Sequence, residues 1–170
     1  MRRLAAILLF ATLCQGCLVR TSGGYVQGIS GGEGQSGMAL NVFAGMGDKK
    51  SGRTVDFASG LAVRSKLSEE SSMVALGSGF DFQFTPLQSR FRPFINAGIH
   101  LLQFEESRGG FGFGMFSPYL DAGLGIGFAR MWSLTLGAGI GYDIRFNSNP
   151  NTFYFSTHAG LCFGMCYSDR

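Results

Sequence analysis

The sequence predicts an all-β fold, a closed barrel of eight antiparallel up-and-down strands with its apolar face turned outward. Apolar and polar residues alternate over seven long segments, a period typical of strands with one apolar face. The chain contains 27 Gly and 17 Phe, and this many glycines argues against helices. Charged residues make up 15% of the chain, against roughly 25% in ordinary soluble proteins.

Polar breaks divide the alternating segments into separate strands. The weaker segment Tyr25–Ser30 adds an eighth strand, and an even count brings both termini to one end of a barrel. The other seven are predicted at about 38–46, 53–64, 72–84, 91–104, 113–128, 132–146 and 152–165. We expect a single barrel domain over residues 37–167.

The N-terminus has the pattern of an export signal. Arg2 and Arg3 form a positive start, and the apolar run Leu4–Cys14 is too short to span a bilayer as a helix. We therefore expect residues 1–16 to be removed on export.

The motif LCQGC follows this run and resembles the lipobox of bacterial lipoproteins, with Gly16 just before Cys17. The resemblance implies cleavage and acylation at Cys17 and a lipidated segment 17–36 that contains the weak first strand. The alternative is an ordinary signal peptide with a plain thiol at Cys17. Cys162 and Cys166 lie on one face of a regular strand, about 13 Å apart, so free thiols are favoured over a disulfide.

Residue type decides which face points outward, because a soluble lipocalin-like barrel shows the same alternation. A solvated strand face normally carries long charged side chains, and the predicted strands carry neither Lys nor Glu. All eight are therefore expected in the connections: Lys49, Lys50, Lys66, Glu33, Glu69, Glu70, Glu105 and Glu106.

The polar face combines glycines with compact or planar side chains, which suits the crowded interior of an eight-stranded barrel. Buried charges are costly unless they pair, so we expect a structural network; a proton path or an active site is the alternative. The predicted lumenal network consists of Asp56, Asp81, Asp121, Asp143, Arg64, Arg92, Arg145, His100 and His158. The two histidines are interpreted as interior side chains rather than metal ligands, and no cofactor is predicted.

The apolar face is rich in Phe, Leu, Ile and Val. An outer surface this apolar is unfavourable in water, so the outward face is expected to contact lipid. Aromatic residues stand near the strand ends, as in the girdles of a membrane barrel: Trp132, Tyr142, Phe146, Phe84, Phe91 and Phe153. The sequence therefore predicts an eight-stranded antiparallel up-and-down transmembrane β-barrel.

A tight connection over residues 129–131 fixes the register of the two strands that it joins. It sets Phe128 opposite Trp132 on the apolar face. On the polar face it sets Gly123 opposite Gly137 and Tyr119 opposite Gly141, where the ring can cover the glycine.

The segment HAGLCFGM, with His158, Gly160, Phe163 and Met165 at alternating places, resembles the assembly signal in the last strand of outer-membrane barrels. With the export signal and the alternation, the chain resembles the small bacterial outer-membrane β-barrel proteins over about residues 25–167. This resemblance implies a Gram-negative outer-membrane location with a periplasmic N-terminus. It also implies outer-membrane lipid and the barrel assembly machinery as partners.

Three functions remain open from the sequence. The first is a non-enzymatic structural or surface-interaction role in the outer membrane, with an unidentified surface partner. The second is a periplasmic lipid-anchored lipocalin-like barrel that binds an apolar ligand. The third is a lipid A-modifying enzyme using Ser156 and His158, although residues i and i+2 of an interior face point away from lipid. The scattered basic residues do not favour nucleic acid as a partner.

Overall fold

The computed structural model describes residues 17–29, 36–50, 53–68, 71–87, 89–107, 110–129, 131–146 and 151–164. The predicted signal peptide and residues 165–170 lie outside these ranges. Among the described residues, no helix is long and apolar enough to cross a bilayer.

Eight antiparallel strands form one closed barrel, which confirms the predicted fold class. β1 pairs with β2 on one side and with β8 on the other, so the sheet closes on itself. The strands are β1 (Cys17–Gly28), β2 (Ser36–Lys50), β3 (Arg53–Ser68), β4 (Ser71–Thr85), β5 (Phe91–Ser107), β6 (Gly110–Ala129), β7 (Trp132–Arg145) and β8 (Thr152–Gly164).

The first strand is longer than predicted and starts earlier. It was expected over Tyr25–Ser30, whereas β1 runs from Cys17 to Gly28. The barrel therefore begins at the predicted lipid acceptor, inside the segment 17–36 that the sequence placed ahead of it. Acylation of Cys17 stays a prediction.

The prediction that all Lys and Glu lie in connections is wrong for the described residues. Five of them stand in the end portions of strands: Lys49 and Lys50 in β2, Lys66 in β3, and Glu105 and Glu106 in β5. The hairpin ladders continue almost to the turns, pairing Lys50 with Arg53 and Ser107 with Gly110. Strands that extend beyond the hydrocarbon layer of a membrane can carry Lys and Glu near their ends, because water solvates these ends. Glu33, Glu69 and Glu70 lie outside the described residues.

The barrel is apolar outside and polar inside, as predicted. Leu136, Ile140 and Phe82 are 45%, 51% and 57% exposed on the outer face. Polar side chains dominate the buried set: Arg20, Thr54, Asp56, Asp81, Gln83, Thr85, Arg92, Asn96, His100, Ser117, Asp121, Ser133, Asp143 and Thr152. A small apolar cluster of Leu18, Phe43 and Ala58 also lies inside.

Two pairs of aromatic rings mark the limits of the outer apolar surface on β7 and β8. Trp132 packs on Phe163 with 4.9 Å between ring centroids, and Tyr142 packs on Phe153 with 4.6 Å. The pairs are ten residues apart along each strand, about 34 Å at 3.4 Å per residue. A strand tilt of about 40° reduces this to a height of roughly 26 Å, close to the apolar band of outer-membrane barrels.

The predicted register between β6 and β7 is confirmed over most of the ladder. Gly123 faces Gly137 and Tyr119 faces Gly141. The last pair was predicted wrongly, because the register shifts between Gly127 and Ala129, and Ala129 rather than Phe128 faces Trp132. The extra residue is a bulge, which increases the local twist where a barrel strand ends.

Candidate functional site: the barrel interior

Arg64 on β3 is the centre of the first interior cluster. Its Nη1 donates to Asp143 Oδ1 at 3.0 Å, and its Nη2 donates to the Tyr154 hydroxyl at 2.6 Å. The guanidinium also lies 4.3 Å from the centroid of the Tyr154 ring. Ser117 donates its hydroxyl to the same Asp143 oxygen at 2.6 Å. We call these four residues the Arg64 cluster; it joins β3, β6, β7 and β8.

Arg20 on β1 is the centre of the second interior cluster. Its guanidinium forms an ion pair with Asp81 and donates to Gln83 on the opposite wall. Asn96 Nδ2 lies 3.3 Å from Asp81 Oδ2 and 3.5 Å from Asp121 Oδ2, so one amide serves two carboxylates. These five residues form the Arg20 cluster, which contains one guanidinium and two carboxyl groups.

Large interior side chains lie over glycines on the neighbouring strand. A Cβ built at Gly98 would overlap the ring of Tyr119, and one at Gly141 would overlap the ring of Tyr154. The ring of Tyr119 therefore covers Gly98 rather than Gly141, the predicted site, although Tyr119 and Gly141 are paired. Each interior ring has a glycine neighbour because a barrel this narrow has no room for two side chains there.

The other predicted network residues lie outside the two clusters. Asp56 is fully buried, and Arg92 Nε donates to the Ser89 carbonyl at 2.8 Å near the termini. At the opposite end, the Arg145 backbone N–H donates to Asn151 Oδ1 at 2.9 Å. The ring centroids of His158 and Phe94 are 6.4 Å apart. His100 lies at the edge of the Arg64 cluster, with its Nδ1 3.4 Å from Arg64 Nη2.

Sequence reasoning missed Arg20, Tyr154 and Ser117 as members of the network. Arg20 lay in a stretch assigned to the lipidated segment, where the alternation is weak. Tyr154 and Ser117 share the parity of His158 and Asp121 on their own strands, so strict use of the period would have found them.

The interior holds a cavity of about 80 Å³. Both clusters contribute to its lining, including Arg20, Asp121, Arg64 and Tyr154. Pockets that enclose drug-sized ligands are roughly 300–1,000 Å³, whereas one water takes up about 30 Å³. The cavity therefore has room for a few waters and is too small for a lipid or another large apolar ligand.

Ser156 and His158 both line this cavity and so face away from the outer apolar surface. Among the described residues, no group of three or more His, Cys, Asp or Glu side chains is placed to hold a metal ion. Cys162 is fully buried in β8, and Cys166 lies outside the described part of the chain.

The closed eight-stranded ladder, the inverted polarity and the filled interior define the fold of the small outer-membrane barrels. Neisserial surface protein A has a similar structure, with a TM-score of 0.73 and 16% identity over 88% of this chain and 97% of that one. The outer membrane enzyme PagL has a TM-score of 0.58 and 16% identity over 84% and 97% of the two chains. No protein-family model and no curated protein sequence matches the chain.

Proposed function

We propose that this protein is an integral outer-membrane β-barrel with a non-enzymatic structural or surface-interaction role. The observation that carries the proposal is the outer apolar surface between the Trp132–Phe163 and Tyr142–Phe153 ring pairs. Its height of roughly 26 Å fits the hydrocarbon of an outer membrane. The similarity in fold to Neisserial surface protein A supports the same class.

We propose a periplasmic position for the end that carries both termini. At that end β6 ends and β7 begins next to the Trp132–Phe163 pair. At the other end β6 runs from Tyr119, near the Tyr142–Phe153 pair, back to Gly110 and so projects further. Outer-membrane barrels have short periplasmic turns and longer extracellular parts. This orientation suits acylation of Cys17 on the periplasmic side and insertion by the barrel assembly machinery.

The two alternative functions have less support. A lipocalin-like carrier needs an apolar interior, whereas this interior is polar and its cavity is about 80 Å³. An enzyme acting on membrane lipid needs its nucleophile on the outer face, whereas Ser156 and His158 line the cavity. PagL shows that the same fold can belong to an enzyme, so the non-enzymatic assignment rests on the position of these side chains.

A charge placed at two heights on the outer face tests membrane insertion. Leu136 is exposed midway along β7, and Leu87 is exposed in the connection between β4 and β5. An Arg costs about 2–4 kcal/mol at the midplane of a bilayer and about 0–1 kcal/mol near its surface. We expect Leu136→Arg to reduce folding into lipid vesicles strongly, and Leu87→Arg to leave it unchanged. Equal tolerance of both would contradict a membrane-spanning barrel.

Fractionation separates insertion from lipid anchoring. We expect the Cys17→Ser protein to remain in the outer-membrane fraction, because the barrel wall holds it there without an acyl chain. Its electrophoretic mobility should change on boiling, as expected when a closed barrel unfolds. Release of the Cys17→Ser protein into the soluble fraction would favour a tethered periplasmic barrel instead.

A further inference from the structure

Charged residues outside the lumen are divided by sign between the two ends of the barrel. At the end with the termini, Lys49 and Lys50 close β2, Arg53 opens β3 and Arg90 precedes β5. We call Lys49, Lys50, Arg53 and Arg90 the basic rim; Asp48 is the acidic residue in the same turns.

The opposite end has the opposite charge. Glu105 and Glu106 lie there, near the end of β5. In the sequence, Glu33 falls between β1 and β2, and Glu69 and Glu70 fall between β3 and β4. Lys66 and Arg108 are the basic residues of these hairpins. Because the two ends differ in sign, the net charge of +3 conceals a strong polarity along the barrel axis.

The basic rim lies next to the edge of the apolar surface at the end with the chain termini. Arg90 directly precedes the exposed Phe91, and its carbonyl accepts a hydrogen bond of 2.9 Å from the Gly127 backbone N–H, which ties the turn to β6. Arg53 precedes the exposed Val55, whose partner in the ladder is Phe84. Arg53 and Arg90 are themselves exposed. Their positive charges therefore stand where the hydrocarbon ends and lipid phosphates begin.

We propose that the basic rim binds the headgroups of anionic phospholipids in the leaflet next to the chain termini. Lys and Arg close to an anionic lipid surface are attracted to it, and the attraction is screened within a Debye length. The rim spans two neighbouring turns of one barrel end, so more than one headgroup in the surrounding lipid can be held at once. The inference rests on the proposed membrane-spanning barrel and adds its lipid preference.

The single tryptophan gives a direct assay of lipid binding at this end, because Trp132 belongs to the Trp132–Phe163 pair next to the chain termini. The protein is folded into vesicles that mix phosphatidylglycerol and phosphatidylcholine, with bromine near the headgroup end of the acyl chains of one lipid at a time. Quenching of Trp132 fluorescence then gives the relative binding of the two lipids at this end. We expect about a fivefold preference for phosphatidylglycerol at low salt, the contribution of one basic residue near an anionic surface. In 0.5 M salt the preference should approach one.

Matched variants assign the preference to the rim. Lys50→Gln/Arg53→Gln/Arg90→Gln should abolish it, while Glu70→Gln/Glu105→Gln/Glu106→Gln at the other end should leave it unchanged. Equal quenching by both lipids, or an unchanged preference in the Lys50→Gln/Arg53→Gln/Arg90→Gln protein, would overturn the inference. If the gel mobility of the protein still changes on boiling, the barrel itself remains supported. Failure to insert into vesicles of either composition would overturn the proposed function and this inference together.

Discussion

The two interior clusters differ in how their charges balance. In the Arg64 cluster, the guanidinium pairs with one carboxyl group, Asp143, and the hydroxyl groups of Tyr154 and Ser117 make further hydrogen bonds. In the Arg20 cluster, the guanidinium pairs with Asp81, and a second carboxyl group, Asp121, accepts a hydrogen bond from the same Asn96 amide as Asp81 does. The Arg64 cluster contains one guanidinium and one carboxyl group, whereas the Arg20 cluster contains one guanidinium and two carboxyl groups beside the cavity. Loss of the central cation should therefore have different consequences in the two clusters.

Replacement of Arg20 should have the largest effect, because it leaves Asp81 without its cation and next to a second buried carboxyl group, Asp121. We expect Arg20→Met to lower the free energy of unfolding by about 5 kcal/mol, the upper end of the roughly 3–5 kcal/mol for breaking a buried pair. Urea titration of the folded protein in detergent measures this loss. The folded fraction at each urea concentration is read from the gel band whose mobility changes on boiling. Asp81→Asn alone should restore part of the loss, and Asp81→Asn with Asp121→Asn should restore most. Full recovery with either single Asn would mean that only one carboxyl group of this cluster depends on Arg20 for its charge balance.

Replacement of Arg64 should have a smaller effect, because it leaves one carboxylate that still accepts a hydrogen bond from Ser117. We expect Arg64→Met to cost about 3 kcal/mol, the lower end of the same range, in the same urea titration. Here the single substitution Asp143→Asn should restore most of the loss. If two Asp replacements were needed in this cluster as well, the contrast between the clusters would be wrong.

The contrast also explains what the sequence could predict. Arg64 and Asp143 lie on strands with strong alternation, so parity alone placed both of them in the interior. β1 alternates weakly, because its outward positions include Thr21 and Gly23 rather than large apolar residues. Arg20 therefore looked like part of a linker, and the cation that neutralises Asp81 was missed.

Replacing glycine by alanine compares the cost of displacing two interior rings, those of Tyr154 and Tyr119. A methyl group at Gly141 would displace Tyr154 from Arg64, and one at Gly98 would displace Tyr119. We expect Gly141→Ala to cost about 2 kcal/mol and Gly98→Ala about 1 kcal/mol, within the usual range for overpacking. A Cβ at Gly125 would make ordinary contacts of 3.5 Å or more, so Gly125→Ala should change stability by less than about 0.5 kcal/mol. Equal costs at all three glycines would show that the rings move aside freely.

The placement of these rings needed more than the register of one hairpin. Tyr119 faces Gly141 on one side and Gly98 on the other, and the pattern of β6 and β7 shows only the first of these. The direction in which a ring leans depends on the strand across its other edge. That strand belongs to a different hairpin, so its register cannot be read from the same turn.

Asp121→Asn should have the smallest effect and separates the two descriptions of the Arg20 cluster. The charged groups that act on Asp121 are Asp81, with the same sign, and Arg20, with the opposite sign and already paired. An amide of the same shape removes the repulsion and can still accept the hydrogen bond from Asn96. We expect the free energy of unfolding to stay within about 0.5 kcal/mol of the native value or to rise. The matched variant Asp143→Asn, which removes the partner of Arg64, should lose about 3 kcal/mol. A comparable loss for Asp121→Asn would mean that its carboxylate has a cation of its own and that both clusters are balanced.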